Sequence, residues 1–165
     1  SARGGRFINP LSKAWYDQSS LKNSIMKTFK EKVAVITGAG SGMGRYLAIL
    51  LAKDGADVCL CDVNEETLSK TVAMLRKYNV SVSSHLLDVS DKESIEALPQ
   101  KVIDQHGKVD LVFNNAGVTT GAHFKDMDED NWDWVMGINF DGIINSTRAF
   151  IPHLINSSEA AIINT

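Results

Sequence analysis

Short apolar runs alternate with longer amphipathic stretches from residue 33 to the end of this 165-residue chain. The apolar runs predict five buried strands, at residues 33–37, 58–62, 83–88, 109–114 and 160–164. The stretches between them carry apolar residues at helical spacing and predict helices over residues 43–54, 65–78, 91–106 and 129–154. The apolar face predicted for the first helix consists of Tyr46, Leu47, Leu50 and Leu51.

This alternation predicts an α/β fold with a doubly wound parallel sheet, because near-continuous apolar strands need helices on both faces. Right-handed crossovers between parallel strands give an expected strand order of 3-2-1-4-5. The fifth strand would leave Ala161, Ile162 and Ile163 exposed unless further strands and helices covered them. We therefore expect the chain to be part of a longer protein, truncated after this strand.

Charge divides the chain into a basic N-terminal arm, residues 1–31, and an acidic body, residues 32–165. The first 30 residues hold six basic side chains and one acidic one, whereas the other 135 hold 11 basic and 19 acidic ones. An acidic body repels phosphate backbones, so nucleic acid is not expected as a principal partner. The arm has two interpretations. It could form a basic amphipathic helix that binds a membrane surface or a partner, or, as we prefer, it could pack across the domain or a neighbouring subunit.

No sequence segment has the character of a membrane span or a metal site. The best apolar run, residues 46–52, is closed in by Arg45 and Lys53, far short of the roughly 20 residues that a span needs. The four histidines show no ligand spacing, so no metal is expected. Cys59 and Cys61 would lie on one face of a strand, about 7 Å apart, which is poor disulfide geometry. We expect two reduced, buried thiols and an intracellular location, in the cytoplasm or an organelle interior.

A glycine-rich turn joins the first strand to the first helix. The sequence Thr-Gly-Ala-Gly-Ser-Gly-Met-Gly occupies residues 37–44, where a tight turn without Cβ atoms and the N–H groups of a helix start suit a pyrophosphate. Asp62 follows Gly44 by 18 residues, at the end of the second strand. Its carboxylate can accept hydrogen bonds from ribose hydroxyls and would repel a 2′-phosphate, and neither Ser41 nor Val63 offers a compensating cation. This pattern predicts dinucleotide binding, with NAD(H) favoured over NADP(H).

Four ordered motifs over residues 32–165 resemble the short-chain dehydrogenase/reductase family. They are the spacing Thr-Gly-x-x-x-Gly-x-Gly, Asp88-Val89 after the third strand, Asn-Asn-Ala-Gly at residues 114–117 after the fourth, and Asn139 in the last helix. The resemblance implies an NAD(P)-binding Rossmann domain over residues 32–165, with its C-terminal part absent. It also implies hydride transfer between a nicotinamide and a small-molecule alcohol or carbonyl compound, in a homo-oligomer or a subunit of a larger assembly.

The same resemblance assigns a role to each candidate site residue. The pyrophosphate and the adjoining ribose would be lined by Gly38, Ser41, Gly42, Met43 and Gly44. Asp62 would bind the adenosine ribose, and the adenine would lie between Asp88 and Val89. The middle of the cofactor would be flanked by Asn115 and Gly117, although Asn114 and its neighbours could equally stabilise the central sheet. Asn139 would hold a water in a proton relay, a role compatible with a helix asparagine that bonds backbone at a local distortion.

The three residues that the family uses for proton exchange are expected beyond Thr165. They are a serine, a tyrosine and a lysine four residues after that tyrosine, and none of Tyr16, Tyr46 and Tyr78 has such a lysine. We therefore expect the chain to be inactive alone. The alternative is that it is a catalytically inactive dinucleotide-binding or structural subunit of a larger assembly.

Overall fold

The structure, a computed structural model, describes residues 26, 28–121, 123–155, 157 and 159–165. A five-stranded parallel sheet forms its centre, in the order β3-β2-β1-β4-β5. The strands are β1 (Val33–Thr37), β2 (Asp57–Asp62), β3 (Val82–Leu86), β4 (Leu111–Asn114) and β5 (Ala161–Asn164). The predicted α/β class and strand order 3-2-1-4-5 are confirmed.

Within the described residues, five α-helices connect the strands and cover the sheet. They are α1 (Gly42–Lys53), α2 (Glu65–Leu75), α3 (Lys92–His106), α4 (Glu129–Met136) and α5 (Gly142–Leu154). A short 3-10 turn, Phe124–Asp126, precedes α4, and a π-helical segment, Gly137–Asp141, joins α4 to α5. The single helix predicted over residues 129–154 is therefore one helical run with a π interruption.

Side-chain caps mark where three of these helices begin. The side chains of Asn64, Asp91 and Asp128 each accept a hydrogen bond from a backbone N–H in the first turn of α2, α3 and α4 respectively. Such caps satisfy donors that have no partner inside the helix. Helix α3 is followed by Gly107, whose φ of 79° is a left-handed conformation that glycine adopts without strain.

The core lies in two layers, one on each face of the sheet. One layer joins the sheet to α3 and α5 through residues such as Val35, Cys59, Ile95, Leu98 and Phe150. The other joins it to α1 and α2 through Ile36, Leu60, Ala48, Leu51 and Leu68. Strand β1 is buried at all five positions because both layers meet on it.

The predicted apolar face of α1 is confirmed at Leu47 and Leu51 and wrong at Tyr46 and Leu50. Tyr46 is 64% exposed and Leu50 is 46% exposed, whereas the helix buries Gly44, Ala48, Leu51 and Ala52. Three of these are small residues spaced four apart, which places them in one row along the helix. The row lets α1 lie close against the sheet and, at Gly44, against the glycine-rich turn, where a Cβ would not fit.

Both cysteines are buried and unpaired, as predicted. The neighbouring Cys59 thiol, together with burial, raises the pKa of the Cys61 thiol. Among the described residues no three His, Cys, Asp or Glu side chains cluster closely enough to hold a metal ion. Within the same part of the chain, no helix has the length and apolar character needed to cross a bilayer.

Ionic contacts tie together the N-terminal ends of the strands. Asp110 is buried, and its carboxylate accepts hydrogen bonds from the Val33 N–H at 2.8 Å and pairs with Lys108 Nζ at 2.9 Å. Lys32 pairs with Glu159, 2.8 Å away, just before β5. These contacts hold β1, β4 and β5 in register at the end of the sheet opposite the candidate site.

The basic arm lies largely outside the described residues, which exclude positions 1–25 and 27. At its described end, Met26 and Phe29 pack against the core layer of α1 and α2. The Phe29 N–H also donates to Asp54 Oδ2 at 2.9 Å. This end of the arm therefore packs on the domain, and the rest of the prediction lies outside the described residues.

Candidate functional site

A cavity of about 350 Å³ opens at the C-terminal ends of the strands, where β1 and β4 lead to opposite faces of the sheet. Ligands of open α/β sheets bind at this point because the loops after the two strands diverge there. The cavity is lined by Gly38, Ser41, Gly42, Met43, Asp62, Val63, Leu87, Asp88, Val89, Asn115, Ala116, Gly117, Val118 and Ile138. Nine of the ten predicted cofactor residues therefore line one cavity. The tenth, Gly44, lies buried beneath it.

The glycine-rich turn leaves no room for side chains at three of its positions, Gly38, Gly40 and Gly44. Gly38 has a φ of 65°, and a Cβ there would lie 2.9 Å from the Ala116 Cα. A Cβ at Gly44 would lie 2.8 Å from the carbonyl carbon of Gly38 and 2.6 Å from Asn115 Nδ2. The first turn of α1 thus lies against the loop after β4, and its unpaired N–H groups begin at the edge of the cavity. This is the arrangement that binds phosphate groups at helix starts.

Thr37 and Asn115 brace this turn from the side of β4. Thr37 Oγ1 accepts hydrogen bonds from the backbone N–H groups of Asn115 and Ala116, both at 3.0 Å. Asn115 Nδ2 donates in return to the Thr37 carbonyl at 3.0 Å. Sequence reasoning gave Thr37 no role, although a threonine at the end of a buried strand signals a hydroxyl available for such a brace. The two residues fix the distance between the glycine-rich turn and the β4 loop.

Asn114 serves the sheet. Its Nδ2 donates to Asn164 Oδ1 at 2.8 Å and lies 3.4 Å from Thr147 Oγ1. The first contact joins the C-terminal ends of β4 and β5, and the second reaches α5. Of the two roles that the sequence left open, the structure places Asn114 in the stabilising one.

Two backbone N–H groups hold the Asp62 carboxylate at the rim of the cavity. Gly40 N–H donates to its Oδ2 at 2.8 Å, and Asn64 N–H donates to its Oδ1 at 2.9 Å. Gly40 must lack a side chain here, since a Cβ would lie 2.8 Å from the Asp62 Cγ. Each carboxylate oxygen keeps a lone pair free for a further donor. Asp62 is therefore a fixed, negatively charged acceptor facing the cavity.

Asp88 and Val89 form the neighbouring wall. Asp88 Oδ1 accepts from the backbone N–H and the hydroxyl of Ser90, at 2.8 and 2.7 Å. Val89 is 7% exposed and packs against Gly142, where a Cβ would lie 2.8 Å from the Val89 Cγ2. The wall thus combines an exposed carboxylate with an apolar side chain that α5 holds in place.

Asn139 lies in the π-helical segment and bonds backbone from another part of the chain. Its Oδ1 accepts from the Val118 N–H, and its Nδ2 donates to the Val118 carbonyl, both at 2.8 Å. The π turn itself is closed by the Gly142 N–H, which donates to the Gly137 carbonyl. The predicted local distortion with backbone bonding is present, and it holds the loop that follows Gly117 against the cavity. The water-holding role stays a prediction.

Comparisons with known proteins agree with this geometry. A family model of short chain dehydrogenases matches residues 32–165. The chain is 35% identical over 133 residues to the 3-oxoacyl-(acyl-carrier-protein) reductase FabG of Thermotoga maritima, covering 81% of the chain and 54% of that protein. The chain spans about half the length of the curated relatives that it matches first.

Two solved structures show the same architecture with a nucleotide bound. A short chain dehydrogenase/reductase from Burkholderia phymatum, in complex with NAD, is 41% identical with a TM-score of 0.80, over 84% of this chain and 50% of that one. Carveol dehydrogenase from Mycobacterium avium, in complex with NAD, is 28% identical with a TM-score of 0.72, over 76% of this chain and 50% of that one.

Proposed function

The chain belongs to the short chain dehydrogenase family, and on that premise we propose that it forms the NAD(H)-binding part of an oxidoreductase. The observation that carries the proposal is the cavity in which a helix start and a fixed carboxylate face each other. Gly38 and Gly44 let the turn and the β4 loop lie close together beside the cavity, because a Cβ at either position would fill the space between them. The residues present therefore suit a dinucleotide.

In this proposal each wall of the cavity binds one part of the cofactor. The turn at Gly38 and Ser41–Met43 would hold the pyrophosphate through backbone N–H groups. Asp62 would accept from the adenosine ribose hydroxyls, and the wall of Asp88 and Val89 would contact the adenine. Asn115 and Gly117 would lie beside the middle of the cofactor, along a loop that Asn139 holds in place.

The bound nicotinamide would give or accept a hydride at the carbon of an alcohol or ketone. The sequence contains no tyrosine followed four residues later by lysine. This chain spans about half the length of its relatives. We therefore propose that proton exchange depends on a serine, a tyrosine and a lysine in the half of the protein that this sequence does not include. Asn139 would contribute to that proton relay from this half.

We propose NAD(H) in preference to NADP(H) because of the charge at the rim. The Asp62 carboxylate is fixed by two N–H donors and cannot withdraw from a 2′-phosphate without losing them. Among the described residues that line the cavity, none is lysine or arginine. Like charges 4 Å apart near a protein surface repel by up to about 4 kcal/mol, so an NAD+ preference of at least about tenfold is expected.

Calorimetric titration with NAD+ and NADP+ tests both parts of the proposal. The unmodified protein is expected to bind NAD+ at least about tenfold more tightly. Asp62→Asn should narrow that preference by weakening NAD+ binding and relieving the repulsion of the 2′-phosphate. Asp104→Asn, which removes an exposed carboxylate of α3 away from the cavity, is the matched control and should leave both affinities unchanged.

Three results would count against the proposal. Binding of neither nucleotide by folded protein would refute the dinucleotide site. Equal affinity for the two would refute the role of Asp62. NAD+ binding by the whole protein without turnover on a panel of alcohols and ketones would favour the inactive subunit instead.

A further inference from the structure

Arg45 stands behind the glycine-rich turn, outside the cavity. It lies in the first turn of α1, and its guanidinium reaches back to the Gly40 carbonyl and across to the Thr67 carbonyl of α2, at 3.3 Å from the latter. Its Nε donates to Thr71 Oγ1 at 2.9 Å. Among the described residues no carboxylate pairs with this cation. Its hydrogen bonds therefore go to the turn and to α2.

Thr71 passes this contact on to the peptide between Ala39 and Gly40. The side chain is completely buried, and its hydroxyl lies 3.0 Å from the Ala39 carbonyl oxygen. Arg45 donates to the hydroxyl oxygen, so Thr71 has a single hydroxyl proton to donate. Three carbonyl oxygens lie within reach of it, and that of Ala39 is nearer, at 3.0 Å, than those of Thr67 at 3.2 Å and Gly40 at 3.4 Å. The carbonyl of Ala39 and the N–H of Gly40 belong to the same planar peptide unit. Holding the carbonyl from behind therefore fixes the direction of the N–H in front.

That N–H is one of the two donors that hold Asp62. Gly40 N–H lies 2.8 Å from Asp62 Oδ2, so one unbroken series of hydrogen bonds runs from Arg45 through Thr71 and the Ala39–Gly40 peptide to the rim of the cavity. Hydrogen bonds in such a series polarise and strengthen one another. Without it the peptide can rotate, and the carboxylate keeps only the Asn64 N–H.

We propose that Arg45 and Thr71 are positioning residues for the adenosine end of the dinucleotide. The inference rests on the proposed function, since Asp62 must bind ribose for its orientation to matter. Neither residue lines the cavity, so their effect reaches the cofactor only through the turn and Asp62. They should set affinity for the adenosine half and leave the nicotinamide half unaffected.

Titration of the whole protein with NAD+, AMP and nicotinamide mononucleotide separates the two halves. Thr71→Val keeps the shape of the side chain and removes the hydroxyl, and it should weaken NAD+ and AMP about tenfold, or about 1.4 kcal/mol, with the mononucleotide changed less than about twofold. Arg45→Lys keeps the charge but not the fork of donors, and it should show the same pattern. Arg76→Met removes an exposed arginine at the end of α2 and should leave all three affinities unchanged.

Thermal unfolding of each variant measures its stability separately from its affinity for the ligands. A folded Thr71→Val or Arg45→Lys protein that binds all three ligands like the unmodified one would overturn the inference, even with a lowered Tm. Equal weakening of all three ligands would also overturn it, because that indicates a general disturbance of the turn. If Thr71→Val fails to fold, Arg45→Lys alone decides. Failure of the unmodified protein to bind NAD+ would instead refute the proposed function, and the inference with it.

Discussion

Replacing Gly44 by alanine separates two opposite expectations about the start of α1. Gly44 lies in the helix, where alanine is intrinsically favoured over glycine by about 1 kcal/mol. Local propensity alone therefore predicts a more stable protein. The structure predicts the reverse, because the new Cβ would lie 2.8 Å from the carbonyl carbon of Gly38 and closer still to its oxygen.

The cost follows from what must move. The atoms in the way are the backbone of Gly38 and the amide of Asn115, and that amide is already bonded to the Thr37 carbonyl. No flexible side chain can make room, so α1 and the glycine-rich turn must separate. Overpacking of this kind costs about 3 kcal/mol. After the gain in helix propensity, a net loss of about 2 kcal/mol remains.

Gly42→Ala is the matched control within the same turn. Gly42 has a φ of 50° and no heavy atom within 4 Å of a Cβ, so alanine meets strain but no clash. The left-handed conformation costs an alanine about 1 kcal/mol. Urea unfolding should therefore rank the proteins as unmodified, Gly42→Ala and Gly44→Ala, from most to least stable. Calorimetry should show at least about tenfold weaker NAD+ binding for Gly44→Ala, since its helix start has moved.

The sign of the change in the free energy of unfolding of Gly44→Ala decides between the two expectations. A variant as stable as the unmodified protein, or more stable, would show that α1 has room to accept a methyl group. That result would refute the close contact between α1 and the glycine-rich turn. Undiminished NAD+ affinity in a destabilised variant would instead show that the position of the helix start does not govern pyrophosphate binding.

Three further predictions concern residues that support the fold. Asp110→Ala should lower the free energy of unfolding by about 3 kcal/mol because it leaves a buried N–H of β1 without an acceptor, whereas Lys108→Gln should cost less than about 1 kcal/mol; urea unfolding measures both. Asn139→Leu should weaken NAD+ binding by releasing the loop after Gly117, and digestion by a nonspecific protease should then cut that loop faster; unchanged cutting would contradict this. The Ser94 hydroxyl lowers the pKa of Asp91 below its usual 3.8, so its cap stabilises the folded state above pH 3.8 and that contribution is lost as the pH falls through the lowered pKa. Asp91→Asn should flatten this part of the dependence of Tm on pH.

The strand order and the location of the site could be predicted from sequence because each depends on local signals. Apolar strands separated by helices allow few arrangements once crossovers are right-handed, and the order 3-2-1-4-5 follows. The carboxyl ends of parallel strands lie at one edge, so Asp62, Asp88 and Asn115 had to meet near the glycine-rich turn. The glycines at residues 38–44 of the sequence already indicate that this turn is tight.

The packing behind the turn could not be predicted in the same way. The apolar face predicted for α1 is wrong at Tyr46 and Leu50 because hydrophobicity favours them, whereas the close approach to the sheet selects small residues such as Ala48. Arg45 and Thr71 carry no signal of their roles, because those roles depend on which peptide of a distant turn they reach. Side-chain contacts between residues 26 apart in sequence are decided by tertiary packing.

The π-helical segment between α4 and α5 makes the number of residues in that region matter as well as their identity. Each residue advances an α-helix by about 100°, and the π turn takes up one residue beyond the regular repeat by widening locally. Deleting one residue of Gly137–Asp141 other than Asn139 would restore the regular repeat and remove the widened turn from which Asn139 reaches Val118. Such a deletion should therefore release the loop after Gly117 even though the asparagine is still present.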